Sequence, residues 1–340
     1  MPSLLASILR NINRQPNTKL NILTINYSET YQTALAKTGH NFFFMYHPKL
    51  RPWDSKIRPV PQNCHLWSGN DVSSQFRYDV DFDLILCQNR IEQYPILQQI
   101  ARQLACSMIN IEYSLSSPEA NSSYIESLTY QPYNFYIFSS EFIANSWGFD
   151  IEDETVKIIP HGIDTEFFGF WTGGDNKVLT VVKDYQRRNN IMDFDLYKEV
   201  IAEFQPNPHG ASPGFSKATN DFDELLKIYQ NASVFLNTSS WHGCPLALLE
   251  AMSVGCPIVT TGTASIGDII EDGVNGFITD DAETMKSKIK QIIEDQELGK
   301  QLGEKARLTI LEKFHTDEFL NNWEQIFKLS ADQPSSAIVE

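Results

Sequence analysis

The segment with the most chemical content runs from Asn237 to Thr261 and reads NTSSWHGCPLALLEAMSVGCPIVTT. A predicted strand ends at Asn237, and Pro245 stands where a helix over Leu246–Val254 begins. The backbone N–H groups at the start of a helix, together with the helix dipole, favour a bound anion such as phosphate. Gly243 lets the backbone approach such a ligand closely, because it has no side chain. We therefore expect a phosphate-binding turn at this helix.

The predicted helix carries one ionisable residue, Glu250, among apolar neighbours. A carboxylate in a buried helix is costly unless it has hydrogen-bond partners. In one interpretation Glu250 complements the helix N-terminus or pairs with a nearby basic group, which is a structural role. In the other interpretation it accepts hydrogen bonds from two hydroxyl groups of a sugar. The sequence leaves both interpretations open.

The composition limits the classes of protein and partner. The chain has 340 residues, 42% of them hydrophobic, which is typical of a globular protein and favours two domains. The formal net charge of −16 argues against nucleic acid or anionic lipid as the partner, although a local basic pocket is compatible with it. Five scattered cysteines indicate neither a disulfide framework nor a thiolate metal site. No long apolar stretch or signal peptide is recognisable, so we expect a cytoplasmic location.

Three Asp-Phe-Asp triplets are the remaining candidates for metal binding. They lie at Asp81–Asp83, Asp193–Asp195 and Asp221–Asp223. Paired carboxylates can hold a divalent cation together with a nucleotide. Each triplet, however, stands before an apolar run, where aspartate commonly caps a helix or strand. We expect caps, and neither a resident metal nor another cofactor.

The elements that position these residues alternate between strands and helices. Short apolar runs followed by helical patterns favour an α/β fold with doubly wound parallel sheets. Strands are predicted at Leu20–Asn26, Asn41–Tyr46, Phe82–Gln88, Ser107–Glu112, Phe135–Ser139, Val156–Pro160, Lys177–Val182, Ser233–Asn237 and Pro257–Thr261. Helices are predicted at Glu29–Thr38, Ile91–Leu104, Asp195–Glu203, Asp221–Gln230 and Leu246–Val254. The Pro- and Gly-rich stretch Gln205–Gly214 is predicted to be a loop.

The alternation restarts after a linker at Gly173–Asn176, which predicts two Rossmann-like domains. We expect the first domain over residues 1–168 and the second over residues 169–315. A last helix over residues 316–330 has aromatic residues at amphipathic spacing and is expected to pack back on the first domain. Residues 331–340 are expected to be disordered.

Four segments together resemble the family 4 glycosyltransferases of the GT-B fold, a glycogen-synthase-like group of retaining enzymes. The segments are Cys244–Thr261, Asp268–Phe277, Val156–Asp164 with Phe168, and Gln296–Arg307 with Phe314 and Trp323. The resemblance covers about residues 130–328. It implies two Rossmann-like domains that face a cleft and a nucleotide-diphosphate sugar, of the UDP or GDP type, as the donor. It also implies retention of configuration without a bound metal.

The resemblance assigns roles to residues of the second domain. Glu250 matches the second glutamate of the family's paired motif, which holds the ribose of the donor. The first glutamate of that pair falls on His242, which departs from the family pattern. The cationic residues that grip the diphosphate correspond to Lys183 and Arg187, with Arg188 as the alternative. His242, Arg187 and Lys183 are therefore expected at the reacting centre. Further donor contacts are expected from Arg188, Gly243, Cys244, Pro245, Leu246, Ala247 and Phe215.

The acceptor site is less well defined. Ligands of parallel sheets bind beyond the carboxyl ends of the strands, and this rule gives the candidates in the first domain. The candidates are Asn26, Tyr27, Asn89, Arg90 and Tyr113, together with the turn residues His161 and Gly162. The acceptor itself stays open among a glycan, a lipid-linked sugar, a small molecule and a modified nucleobase.

The function expected from the sequence is hexosyl or pentosyl transfer from a nucleotide-diphosphate sugar to a hydroxyl acceptor. A sugar-nucleotide epimerase of the same fold is a rival enzyme, and two further alternatives stay open. One is a non-catalytic subunit that binds the sugar nucleotide, since His242 replaces the family glutamate. The other is a viral-type transferase that glycosylates a modified DNA base, which the net charge of −16 disfavours.

Overall fold

The computed structural model describes residues 18–67, 80–129, 131–263 and 265–333, without the side chains of Glu166 and Phe167. Its contacts divide the chain into two compact units. The first unit contains the residues up to Pro160 and those from Asp317 onward, and the second contains His161–Thr316. The boundary lies before the turn at His161, whereas the sequence placed it after residue 168.

The first unit is built on a sheet with seven strands in the described residues. The strands are β1 (Asn21–Thr24), β2 (Asn41–Phe44), β3 (Cys64–Leu66), β4 (Leu84–Cys87), β5 (Ser107–Glu112), β6 (Phe135–Phe138) and β7 (Val156–Ile158). They lie in the order β3-β2-β1-β4-β5-β6-β7, and all neighbouring pairs are parallel. Every residue of β4 and β5 is buried, as expected for strands covered on both faces.

Four helices in the described part of the first unit connect these strands. They are α1 (Glu29–Ala36), α2 (Tyr94–Leu104), α3 (Ser122–Thr129) and α4 (Glu141–Ser146). Ser28 and Ser140 cap α1 and α4 by accepting hydrogen bonds from backbone N–H groups of the first turn. The sequence did not predict α3, α4 or β3, because these elements are short and only partly apolar.

The second unit has its own parallel sheet, of five strands in the described residues. The strands are β8 (Lys177–Val181), β9 (Gln205–His209), β10 (Val234–Asn237), β11 (Ile258–Thr260) and β12 (Phe277–Ile278), in the order β12-β11-β10-β8-β9. The helices are α5 (Thr165–Phe168), α6 (Asn189–Met192), α7 (Phe194–Ile201), α8 (Phe222–Asn231), α9 (Leu246–Val254), α10 (Ala282–Glu294) and α11 (Gln296–Lys313). The predicted class of two doubly wound parallel sheets is confirmed.

The segment Gln205–His209 was predicted as a loop, and this prediction is wrong because the segment forms strand β9. Its sequence, QPNPH, contains two prolines, which cannot donate the backbone hydrogen bonds of a central strand. β9 lies at the edge of the sheet and pairs on one side only, with β8. The prolines are tolerated there because an edge strand leaves one row of backbone groups without a neighbouring strand.

Helix α9 is held in place by a close crossing with α11. The backbones of Gly255, which ends α9, and Gly303 of α11 approach so closely that a Cβ at Gly303 would overlap the Gly255 carbonyl. Gly255 itself has a φ of +83°, which glycine adopts without strain. Both glycines are therefore needed to position α9 against its neighbour.

The last helix, α12 (Thr316–Ala331), belongs to the core of the first unit. Its apolar face includes Phe319, Trp323 and Phe327, all buried. The helix continues through Ala331, one residue beyond the predicted end, and residues 334–340 of the predicted disordered tail lie outside the described residues. No helix in the described part of the chain is both long and apolar enough to cross a membrane.

Trp323 is the bulkiest fully buried side chain of α12. It is 0% exposed, and its indole N–H donates to the hydroxyl of Tyr31 at 2.9 Å. We predict that Trp323→Ala lowers the free energy of unfolding of this unit by about 4 kcal/mol, since it leaves a large cavity. Leu329→Ala, on the same helix but 52% exposed, is the control and should change it by less than about 0.5 kcal/mol. Urea unfolding followed by circular dichroism checks this, and equal stabilities of the two variants would contradict it.

Candidate functional site

The second sheet has a topological switch point between β8 and β10. The chain moves to one side of β8 to form β9 and to the other side to form β10 and the later strands. In open α/β sheets, ligands bind in the crevice beyond the carboxyl ends of the strands at such a point. A cavity of about 110 Å³ lies there. It is lined by Val181, Val182, Lys183, Arg188, Met192, Phe235, Asn237, Ser239, His242, Pro245, Leu246 and Ala247.

The turn after β8 brings two cationic side chains, Lys183 and Arg188, to this cavity. The N–H of Val182 donates to the carbonyl of His209 at 2.9 Å, which extends the pairing of β8 with β9. Gly210, which follows His209, has a φ of +103°, and a Cβ at this position would overlap the Val182 carbonyl. The start of the turn is therefore fixed by backbone contacts that only glycine permits.

Tyr185 anchors the rest of this turn. Its ring is buried, its N–H donates to Ser212 Oγ at 3.0 Å, and its hydroxyl shares a hydrogen bond with Thr238 Oγ1 at 2.5 Å. The following 3₁₀ turn then places Arg187 in solvent, outside the lining, and Arg188 in the lining of the cavity. The sequence analysis preferred Arg187, and the geometry reverses this preference because the two side chains leave a tight turn in different directions.

Helix α9 points its N-terminus at the cavity, since Pro245, Leu246 and Ala247 all line it. No side chain of the described residues caps this helix. The amides of its first turn therefore contribute partial positive charge at the cavity wall. The preceding loop is fixed because Ser265 Oγ donates to the carbonyls of His242 and Gly243. Gly243 supports the loop and does not itself line the cavity.

His242 lines the cavity beside Arg188. Desolvation, assisted by the nearby positive charge of Arg188, lowers the pKa of His242 to about 4. The imidazole is therefore neutral near pH 7, when one ring nitrogen donates and the other accepts. Its Nδ1 is buried and has no hydrogen-bond partner among the described residues. This side chain can offer a polar group to a ligand without adding charge.

His161 and Cys244 lie behind the cavity and do not line it. His161 is 2% exposed, and burial lowers its pKa to about 4, with the backbone of Cys244 partly offsetting the effect. Cys244 belongs to the apolar core, and burial raises the pKa of its thiol far above the ordinary value. The geometry thus does not support a direct contact of His161 with the acceptor substrate. It also does not support a direct contact of the Cys244 side chain with the donor sugar nucleotide. Gly162, next to His161, is half-buried in the same turn.

Glu250 lies one helical turn beyond Leu246, on the same side of α9. Its carboxylate is buried and accepts a hydrogen bond from the Tyr229 hydroxyl at 2.9 Å. The residue does not reach the lining of the cavity. The Tyr229 hydroxyl gives the buried carboxylate a hydrogen-bond partner, but it is not the basic group that the structural interpretation named, and the ribose role stays a proposal.

Phe215 and one aspartate of each Asp-Phe-Asp triplet stabilise the local structure around them. The ring of Phe215 packs against Tyr185 and two further aromatic rings beside the anchored turn, and it does not line the cavity. Asp193 and Asp221 cap α7 and α8 by accepting backbone hydrogen bonds. Asp83 accepts a hydrogen bond from the N–H of Asn21 at 2.8 Å. No cluster of three or more metal-ligating His, Cys, Asp or Glu residues occurs in the part of the chain that the structure describes.

Arg90 was predicted to contact the acceptor, but the structure buries it completely, with 0% of the residue exposed. Its guanidinium donates to Asn110 Oδ1 at 2.6 Å, pairs with Glu112 and lies against Trp147 and other aromatic rings. Burial raises the pKa of Glu112 to about 7, although the charge of Arg90 acts in the opposite direction. Arg90 therefore stabilises the interior of the first unit and is not accessible to an acceptor.

The other acceptor candidates of the first unit are distributed over its carboxyl edge. Tyr27 stacks on Tyr113 with 5.9 Å between ring centroids, and Tyr113 donates to a buried glutamine. Asn89 accepts two backbone hydrogen bonds from the turn that follows it, which is a capping role. Asn26 lines a separate cavity. Tyr27 thus lies beside both Tyr113 and Asn89, whereas Asn26 faces a different cavity.

Three polar or polarisable residues of the cavity were missed by the sequence analysis. Asn237, Ser239 and Met192 line it, and Ser239 Oγ donates to Asn237 Oδ1 at 2.7 Å. The rule of carboxyl strand ends, applied to β10, identifies Asn237 and Ser239. Met192 comes from the end of α6, and no sequence pattern indicates that it belongs here.

Comparisons with known proteins identify proteins to which this chain is similar. Residues 195–309 match the family model described as "Glycosyl transferases group 1". An uncharacterized glycosyltransferase of Methanocaldococcus jannaschii is 25% identical over 177 residues, 52% of this chain and 42% of the relative. The poly(ribitol-phosphate) α-N-acetylglucosaminyltransferase of Staphylococcus aureus is 31% identical over 158 residues, 44% of this chain and 32% of the relative. The chain thus aligns with less than half the length of these relatives.

The solved structure of HepE from Anabaena, in complex with UDP and glucose, superposes with a TM-score of 0.67. It is 13% identical, and the match covers 91% of this chain and 99% of HepE. The two parallel-sheet units together with this likeness define a protein of the GT-B fold. The resemblance to the family 4-like glycosyltransferases that was found in the sequence is confirmed.

The buried histidine behind the site makes stability depend on pH. The pKa of His161 is about 4 in the folded chain and ordinary, 6.5, when unfolded. The unfolded chain therefore binds the proton first, and stability falls as the pH falls from 6.5 towards 4. The free energy of unfolding of the parent protein should decrease as the pH is lowered from about 6 to 5. We predict that His161→Gln makes this decrease smaller by about 1 kcal/mol per pH unit.

Urea unfolding at several pH values measures this dependence. His47→Gln, which removes a partly exposed histidine of the first unit, is the matched control and should follow the parent protein. Identical pH dependences for His161→Gln and the parent would show that His161 is not held neutral by burial.

Proposed function

We propose that the chain transfers a sugar from a nucleotide-diphosphate sugar to a hydroxyl acceptor. The observation that carries the proposal is the convergence of Lys183, Arg188 and the N-terminus of α9 on one cavity at the switch point of the second sheet. Diphosphate is the ligand chemistry that two cations and a helix N-terminus favour. HepE was solved with UDP, which supports UDP as the nucleotide of the donor.

The same three groups provide the positive charge that the reaction needs. When the bond between the sugar and the diphosphate breaks, negative charge grows on the leaving phosphate oxygen. Cations and backbone dipoles already aimed at that oxygen stabilise the charge without reorganisation. We therefore propose that transfer proceeds without a divalent cation.

The course of the reaction follows from the resemblance to retaining enzymes. The acceptor hydroxyl attacks the anomeric carbon on the face from which the diphosphate leaves. The new bond to the acceptor oxygen forms as the bond to phosphate breaks, and the leaving phosphate oxygen takes the hydroxyl proton. We propose that neutral His242 hydrogen-bonds the donor sugar, and its buried Nδ1, which has no partner among the described residues, supports this role.

Glu250 is proposed to hold the ribose of the donor. A carboxylate accepts several hydrogen bonds, so the bond from Tyr229 orients it without using its full capacity as an acceptor. Its place one turn after Leu246, which lines the cavity, puts it on the correct side of α9. The ribose would then lie along the helix while the diphosphate lies at its N-terminus.

A second candidate function is that of a non-catalytic subunit that binds the sugar nucleotide. The observation in its favour is His242, which occupies the position of the first family glutamate. Both candidates require binding of UDP at the same cavity. They differ in turnover, because only a transferase releases UDP from the donor.

The release of UDP from a panel of UDP-sugars, with mixed saccharide acceptors and with excess EDTA, tests the proposal. A transferase that needs no metal releases UDP under these conditions. Tight binding of UDP without release would favour the non-catalytic subunit. Release that stops with EDTA and returns with magnesium or manganese would contradict the metal-free mechanism.

Three variants of the second unit test which residues bind UDP. Arg188→Ala removes a charge-assisted hydrogen bond to diphosphate and should weaken UDP binding by about 2 kcal/mol, roughly 30-fold. Arg187→Ala, its exposed neighbour, is the matched control and should bind UDP within about twofold of the parent protein. Glu250→Gln should weaken the binding of UDP and of uridine to the same extent, since the ribose is common to both. Titration calorimetry measures these affinities, and a larger loss for Arg187→Ala than for Arg188→Ala would contradict the assignment.

A further inference from the structure

The first unit contains a cavity that the roles described so far do not use. It lies at the carboxyl ends of β1, β2 and β3 and has a volume of about 270 Å³. We call it the β1–β3 pocket, and the residues that matter for its chemistry are Asn26, Tyr46, Arg51, Trp53 and Trp67. All of them belong to the first unit, so the pocket is distinct from the cavity at the switch point of the second sheet.

The bottom of the β1–β3 pocket holds a buried amide in a fixed orientation. Asn26 is 6% exposed, and its Nδ2 donates to Glu29 Oε1 at 3.0 Å and to the carbonyl of Pro52 at 3.1 Å. Because both N–H groups are used, the orientation of the amide is set. Its Oδ1 is buried without a hydrogen-bond partner among the described residues. A buried acceptor without a partner is unfavourable, and a ligand that donates a hydrogen bond relieves the cost.

The walls of the pocket are aromatic. Tyr46 and Trp67 stand at the mouth and are 39% and 37% exposed. The indole of Trp53 is held by a hydrogen bond from its Nε1 to the carbonyl of Arg58 at 2.9 Å and by an edge contact with Phe44. Rigid aromatic faces bind C–H groups of a ligand, since the face of the ring carries partial negative charge.

The pocket has no strong preference for an anion, although Arg51 contributes to its lining. The guanidinium of Arg51 forms an ion pair with the carboxylate of Glu29, which is buried. The same carboxylate accepts hydrogen bonds from Asn26 Nδ2 and from the N–H of Asp54 at 2.9 Å. The positive charge is compensated within the protein, so a neutral ligand fits better than a phosphate.

A pyranose sugar is a neutral molecule that has both hydroxyl groups and an apolar C–H face. We propose that the β1–β3 pocket binds a neutral sugar residue of the acceptor, which makes the acceptor a carbohydrate. One sugar hydroxyl donates to Asn26 Oδ1, and the C–H face of the ring lies against the aromatic wall. The volume of about 270 Å³ is large enough for one sugar residue. The inference rests on the proposed function, because it names the acceptor of that reaction.

Saturation-transfer NMR on the full chain tests this inference. The probes are neutral mono- and disaccharides of glucose, galactose, mannose and N-acetylglucosamine, each added with UDP present. We expect at least one probe to bind. Trp67→Ala, at a partly exposed position, should weaken the binding of that probe by roughly tenfold. Trp67→Phe should restore most of the affinity because it keeps an aromatic face. Tyr124→Ala, which removes a 44% exposed aromatic residue of the same unit outside the pocket, is the control and should bind like the parent.

Three results would overturn the inference: no saccharide of the panel binds, binding survives Trp67→Ala unchanged, or inorganic phosphate displaces the saccharide. The affinity of UDP is measured in the same samples by titration calorimetry. If UDP binds but no saccharide of the panel does, the carbohydrate pocket is rejected and the proposed function stays intact. Saccharide binding that depends on Trp67, without binding of UDP, would reject the proposed function and leave the pocket.

Discussion

The reversal of strand order between β8 and β10 is the constraint on which the site depends. Chain connections leave these two neighbouring strands in opposite directions, so their carboxyl ends open on a crevice that no connection covers. The turn after β8 and the start of α9 enter this crevice from its two sides. Lys183 and Arg188 are close to the helix N-terminus because the topology places both segments at the same point.

Local contacts convert this topology into a defined electrostatic site. The close approach at Gly210 and the hydrogen bond between Tyr185 and Thr238 fix the turn, while the crossing at Gly303 fixes the helix. The result is a small region of positive charge in a chain whose formal net charge is −16. His242 beside it is neutral near pH 7, because desolvation and the charge of Arg188 lower its pKa to about 4. The proposed diphosphate site thus takes its positive charge from two side chains and a helix end, and not from a histidine.

Sequence patterns were sufficient where local and tertiary preferences agree. Ser107–Glu112 and Leu246–Val254 were predicted at their observed bounds, because the strand is a short run with apolar residues at its centre and the helix lies between Pro245 and Gly255. The patterns failed where tertiary context decides. The prolines of Gln205–His209 concealed an edge strand, since nothing local shows that a strand lies at an edge.

The same limit applies to the candidate site residues. The patterns identified Lys183 and the turn before α9 but could not separate Arg187 from Arg188, whose directions depend on the anchored Tyr185. Arg90 follows a strand end in the sequence, yet it is enclosed by aromatic residues that are distant along the chain. The amide at Asn26 was a candidate by its strand position, but its unsatisfied oxygen is visible only once the partners of its Nδ2 are known.

Hydrogen exchange with and without UDP, in buffer that contains EDTA, tests the central claim most directly. The claim is that the diphosphate lies between the turn after β8 and the N-terminus of α9. It predicts that UDP slows exchange in residues 183–188 and 243–248 and leaves the strands of the first unit unchanged. Protection elsewhere in the second unit, with unchanged exchange in both of these segments, would contradict it.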